Sequence, residues 1–129
     1  MFLYNNDKKN IAKVINFLID IKDTYKSNLN IIELDISRTE RIIEESKENQ
    51  KNIKATLDSS YMVLSSSQVA RANEFAEIDS LQEIINLRER ELCDLKISRD
   101  EYLGKLIEIE DVIASANAVR EVIEDKSFT

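Results

Sequence analysis

The sequence predicts an all-α fold, a long two-helix antiparallel coiled-coil hairpin, on three observations. Apolar residues return at alternating steps of three and four through both halves of the chain, and one glycine and no proline interrupt 129 residues. One serine-rich stretch separates the halves. Residues 1–129 therefore read as a single coiled-coil domain, with a helix over about 8–57, a hinge over about 58–66 and a helix over about 67–126.

The first residues, after Phe2, Leu3 and Tyr4, are short and polar, and are expected to fray up to Asp7, which is placed to cap the helix that begins there. Helix 1 then carries the seam Ile11, Ile15, Leu18, Lys22, Tyr25, Leu29, Ile32, Ile36, Thr39, Ile43, Ser46, Gln50, Ile53 and Leu57. Ile19, Ile21, Ile31 and Ile42 widen its apolar face beyond a strict two-helix contact, a surplus available to a partner.

Five serines in the ten residues from Asp58 to Ser67 compete for backbone hydrogen bonds and favour caps and turns. Ser65 with Gln68 three positions later matches a capping box, which starts helix 2 near 65–67. Helix 2 carries the seam Ile78, Leu81, Ile85, Arg88, Leu92, Leu95, Arg99, Tyr102, Leu106, Ile109, Ile113, Ala116, Arg120 and Ile123, an apolar row broken only by three arginines. Gly104 costs about 1 kcal/mol relative to alanine in a helix, and is expected to mark a bend or a close approach by another helix.

A short connection makes the helices, about 75 and 90 Å long, antiparallel neighbours. A hinge centred near Met62 pairs residues whose numbers sum to about 124, give or take a turn. Charge agrees, because the basic start around Lys8, Lys9, Lys13, Lys22 and Lys26 lies along the acidic end from Glu108 to Asp125. In that register Lys22 and Arg99 share a level with Tyr25 and Tyr102. Their stems pack inward while the charges stack on the rings or reach out to Asp20 or Asp23, fixing the register, or else both side chains snorkel into water. Arg88 falls near Ile36 and Thr39, within reach of Glu33 or Glu40.

Near the hinge the pairing is expected to be weak, since Glu44 to Asn52 is polar and faces Val69, Ala72 and Phe75 on a displaced strip. Tyr61, Met62, Val63 and Leu64 add apolar surface there. These side chains either fold over the hinge as a plug or, as a cluster with Val69 and Phe75, form a contact site.

Several function classes find no support. With no histidine, the usual general base and zinc ligand are missing, and one glycine cannot build a phosphate-cradling loop. Cys93, beside seam residue Leu92 and without a basic neighbour built to activate it, reads as structural, and a lone cysteine fits a reducing cytoplasm. Acidic clusters such as Glu44-Glu45 read as a solvated helix face. A net charge of -7 argues against nucleic acid as a partner. No apolar run reaches the roughly 18 to 20 residues of a membrane span, and the start lacks the order of a secretory signal. The expectation is a non-enzymatic interaction protein without a cofactor.

A Lys-rich start, a full-length first helix, a serine-broken hinge and a second helix rich in Arg and Glu (Leu87-Arg88-Glu89-Arg90-Glu91-Leu92) resemble the central stalk of type III secretion ATPases, the FliJ/YscO/EscO class. The similarity covers residues 8–126 and consists of length, pattern and layout. It implies a cytoplasmic stalk, peripheral at the inner face of the membrane through a secretion apparatus. Its paired termini would sit in the pore of a hexameric ATPase and promote its activity, with the hinge directed to the export gate. On that resemblance Tyr61, Met62, Val63, Leu64, Val69 and Phe75 meet the gate, and Lys8, Lys9, Lys13 and Arg120 meet the pore. The chain departs from the more basic flagellar members in being acidic overall. The alternative is a secretion chaperone or cytoplasmic coiled-coil scaffold, with the surplus isoleucines binding an extended segment.

Overall fold

The computed structural model describes residues 2–60 and 68–127. They form two helices, α1 (Phe2–Ser60) and α2 (Gln68–Ser127), packed on each other as an all-α hairpin, with no strand among the described residues. Neither helix is long and apolar enough in any stretch to cross a membrane. The expected frayed start is helical from Phe2, ahead of the cap proposed at Asp7. No Gly or Pro stops the helix there, and the heptad continues backward onto Lys8 and Tyr4. Ser59 and Ser60 end α1, and Gln68 opens α2. The partner proposed for Gln68 in the capping box, Ser65, lies outside the described residues.

Packing divides the chain into two compact units. Each is built from a stretch of both helices: Met1–Ile32 with Ser98–Thr129 in unit 1, and Glu33–Ile97 in unit 2. A helix pair is close to one-dimensional, since a residue on one helix touches only the level it faces on the other.

Every seam position of both helices is buried or half-buried. In unit 1, Ile15, Leu29 and Ala116 are buried. In unit 2 the buried set is Ile36, Ile43, Leu57 and Ile85 with the small polar residues Thr39 and Ser46 and the longer Gln50. Burial of Ser46 and Gln50 contradicts the weak pairing expected over Glu44 to Asn52. The charged residues of that segment, Glu44, Glu45, Lys47, Glu48 and Lys51, lie between the seam positions and are exposed. On α2 the seam extends back through half-buried Glu74 and Arg71, while Ala72 and Phe75 are exposed.

The antiparallel pairing holds in each unit, but in a shifted register. In unit 1 Lys22 meets Glu110 and Asn28 meets Tyr102. In unit 2 Lys47 meets Glu89 and Gln50 meets Gln82. Together these contacts centre on levels whose numbers sum to about 131 rather than about 124, a slip of about one heptad that keeps every seam position inside. Gly104 has nothing within 4 Å of where a Cβ would stand, so no close approach within the chain accounts for it.

Ile85, 2% exposed, is the most enclosed side chain of unit 2. Ile85→Ala should lower the unfolding free energy by about 2 to 4 kcal/mol in urea denaturation followed by circular dichroism. Ile97→Ala, at a position 53% exposed, should change it by less than about 0.5 kcal/mol.

Candidate interaction surface

Five residues singled out as register marks separate into two groups. Tyr25 and Tyr102 meet edge to face, with ring centroids 6.0 Å apart and planes inclined by 65°. The cation over them is Lys105, whose Nζ lies 4.9 Å from the centre of Tyr102 and 5.8 Å from that of Tyr25. Asn28 Nδ2 donates to Tyr102 Oη at 3.4 Å. Lys22 and Arg99 do not stack on these rings. Lys22 reaches Glu110 Oε1 at 3.5 Å instead of Asp20 or Asp23, and Arg99 Nε lies 3.5 Å from Asp100 Oδ1. The one-heptad slip explains the exchange, because it carries Arg99 away from Lys22 and brings the acidic stretch around Glu110 opposite it.

Arg88 likewise turns to its own helix. Its Nη1 donates to Glu91 Oε2 at 2.8 Å, in place of the expected Glu33 or Glu40, and its Nε is buried without a hydrogen bond. In the observed register it stands at the level of Ile43, beyond reach of Glu33. A buried guanidinium nitrogen left unbonded costs stability, so Arg88 marks a weak point of the seam.

The strongest register mark is Gln50. It is 7% exposed, and its Nε2 donates both to the carbonyl of Ile78 at 3.0 Å and to Gln82 Oε1 at 3.1 Å. Gln82 in turn donates to Asn86 at 2.9 Å. A buried amide whose donors are met by only one level of the facing helix penalises every other register. Its signal in the sequence is a lone amide at a core position, hidden among the polar residues of Glu44 to Asn52.

The proposed contact residues are distributed unevenly. Tyr61, Met62, Val63 and Leu64 lie outside the described residues, and Val69 is placed only as part of α2. Phe75 is 57% exposed and lines a groove of about 320 Å³ with Leu57, Ile78, Lys54, Asp58 and Arg71, within unit 2. Of the pore residues, Lys9 and Lys13 are exposed, whereas Lys8 and Arg120 occupy seam positions and are half-buried. Only the first two are presented fully to a partner.

Cys93 is exposed, so it does not serve the core. Among the described residues no group of three or more His, Cys, Asp or Glu is placed to hold a metal ion.

What unit 1 does present is apolar surface away from the seam. Val14, Phe17, Ile19 and Ile31 on α1, and Leu103, Ile107, Val112, Val119 and Val122 on α2, are all at least 40% exposed. Ile21 and Ile42, of the surplus isoleucines, are half-buried along the edge of the seam. Comparison with protein-family models, curated proteins and solved structures gives no match.

The ring pair and its cation should be energetically coupled. A double-mutant cycle with Lys105→Met and Tyr102→Leu should give about 0.5 to 1 kcal/mol of coupling in urea denaturation. Arg88→Leu should raise stability by about 1 kcal/mol, because it removes a poorly satisfied charge from an apolar row.

Proposed function

We propose that the chain is a non-enzymatic interaction protein whose helical hairpin binds other proteins along its sides. The observation that carries this reading is the exposure of large apolar side chains at positions the hairpin's own pairing cannot reach. Phe17 at 65%, Leu34 and Ile107 at 63% and Ile31 at 57% point away from the seam. A self-contained hairpin has no use for them.

Within that class, the resemblance in length, pattern and hairpin layout favours a stalk of a type III secretion ATPase. On this reading the chain works in the cytoplasm, inserts its paired termini in a hexameric ATPase, promotes hydrolysis and links the ring to the export gate. Two packed antiparallel helices support the reading, as do exposed Lys9 and Lys13 near the start of α1. Exposed Ile19 and Ile31 favour the second reading, a secretion chaperone or scaffold that holds an extended segment of a partner against α1.

Adding the purified chain to the hexameric ATPase of a type III apparatus should raise its turnover several-fold. Lys9→Glu with Lys13→Glu should abolish the increase while leaving the helix content unchanged. Unchanged turnover at saturating protein removes the stalk reading. Recovery of a secreted substrate, and no ATPase, in a pull-down selects the chaperone reading.

A further inference from the structure

The seam of unit 2 changes character at Gln50. Away from Ser60 and Gln68, it runs through Ser46, Ile43, Thr39 and Ile36, all buried, with Ile85 facing Ser46 at 2% exposure. Toward Ser60 and Gln68, the observed register leaves two levels: Ile53 opposite Ile78, both half-buried, and Leu57 opposite Glu74. Glu74 thus holds a seam position, and its Oε2 is buried without a hydrogen bond. A carboxylate oxygen shut away from water with no donor destabilises the level it occupies. Arg88, further in, also has an unbonded nitrogen, but its guanidinium keeps Glu91 at 2.8 Å and its level lies between buried Ile43 and Ile85.

Packing is loose at the same two levels. A cleft of about 320 Å³ is lined by Lys54, Leu57, Asp58, Arg71, Phe75 and Ile78. A second, of about 190 Å³, is lined by Asn52, Ile53, Thr56, Glu74 and Glu77. Lys54 and Phe75 follow the seam residues Ile53 and Glu74 by one position, whereas Thr56 and Glu77 precede Leu57 and Ile78 by one. At about 100° per residue these are the two opposite edges of the seam, so water reaches both levels from both sides.

Gln50 stands at the inner limit of this loose stretch. Its Nε2 donates to the carbonyl of Ile78 at 3.0 Å and to Gln82 at 3.1 Å, and Gln82 donates on to Asn86 at 2.9 Å. Within one turn further in, Lys47 meets Glu89 at 3.4 Å. These contacts tie α1 to α2 at one place.

We propose that the outer part of unit 2, residues 53–58 of α1 with 71–77 of α2, opens and closes as one cooperative segment whose opening stops at Gln50. The two helices let go together, because freeing either one strands the apolar side chains of the other, Ile53 and Leu57 on α1 and Ile78 on α2. Opening also returns the Glu74 carboxylate to water, which offsets part of the apolar surface exposed. Further in, the same event would break the Gln50 amide bonds and uncover Ile85, so it halts there. In the open form Ile53, Leu57 and Ile78 join exposed Phe75 as apolar surface that the closed form hides. One carboxylate favours the opening, and one amide limits it.

The inference does not rest on the stalk reading, and its test uses the full chain alone. Residue-resolved amide hydrogen exchange by NMR should show a step along each helix. Amides of residues 53–58 and 71–77 should share one opening constant, about tenfold or more above that of residues 36–46 and 85–95, with the change within a turn of Gln50 and Gln82. Glu74→Leu should slow exchange about tenfold both in 71–77 and across the seam in 53–58, and leave 36–46 as it was. Gln50→Ala should carry the fast zone inward to the level of Ser46 and Ile85. Exchange that rises smoothly from Ile36 to Leu57, the pattern of plain end fraying, overturns the proposal. So does a Glu74→Leu variant in which residues 53–58 exchange as fast as before.

Discussion

Everything in this protein depends on two apolar seams of the same period being held in one mutual register. A heptad stripe on a single helix cannot stay in water, and the cover for each stripe here is the other helix of the same chain. Ile15, Leu29 and Ala116 in unit 1, and Ile36, Ile43 and Ile85 in unit 2, are enclosed only because the facing level supplies side chains of matching size. Small Thr39 and Ser46 sit among large neighbours and leave room for them, and Ser46 stands at the level of Ile85. Apolar packing alone tolerates a slide of one heptad, since every seam position would still meet a seam position. The polar contacts remove that freedom: Gln50 finds its acceptors at Ile78 and Gln82, and Asn28 and Lys105 converge on Tyr102.

That division of labour explains how much of the fold is legible in the sequence. Spacing alone assigns all seam residues of both helices to the inside, and the fold class comes directly from it. The level at which the helices meet does not, because a seven-residue period fixes phase and leaves the choice of heptad open. The turn normally settles that choice. Here it has neither Gly nor Pro, and α1 continues to Ser60, so a centre placed at Met62 shifts the pairing by a heptad. The differing partners of Lys22, Arg88 and Arg99 all trace to this one cause. Gln50 is hard to pick out because its neighbours from Glu44 to Asn52 are charged, although only its own position faces the seam.

The sides of the hairpin are less legible than its core. Surplus isoleucines are visible on α1, but whether they face one surface or several depends on register and on which edge of the seam they border. Ile21 joins Val14 and Phe17 on one face with the valines of α2, while Ile19 lies beyond the opposite edge.

The burial pattern and the ring pair both rest on the register. It is tested most directly by intrachain disulfide formation in a Cys93→Ser background. Oxidation of an Ile36→Cys, Leu95→Cys chain at low concentration should give the cross-linked monomer in high yield, and an Ile36→Cys, Arg88→Cys chain should remain reduced. The reverse outcome, with positions 36 and 88 joined and 36 and 95 not, would place the helices one heptad away and contradict the account.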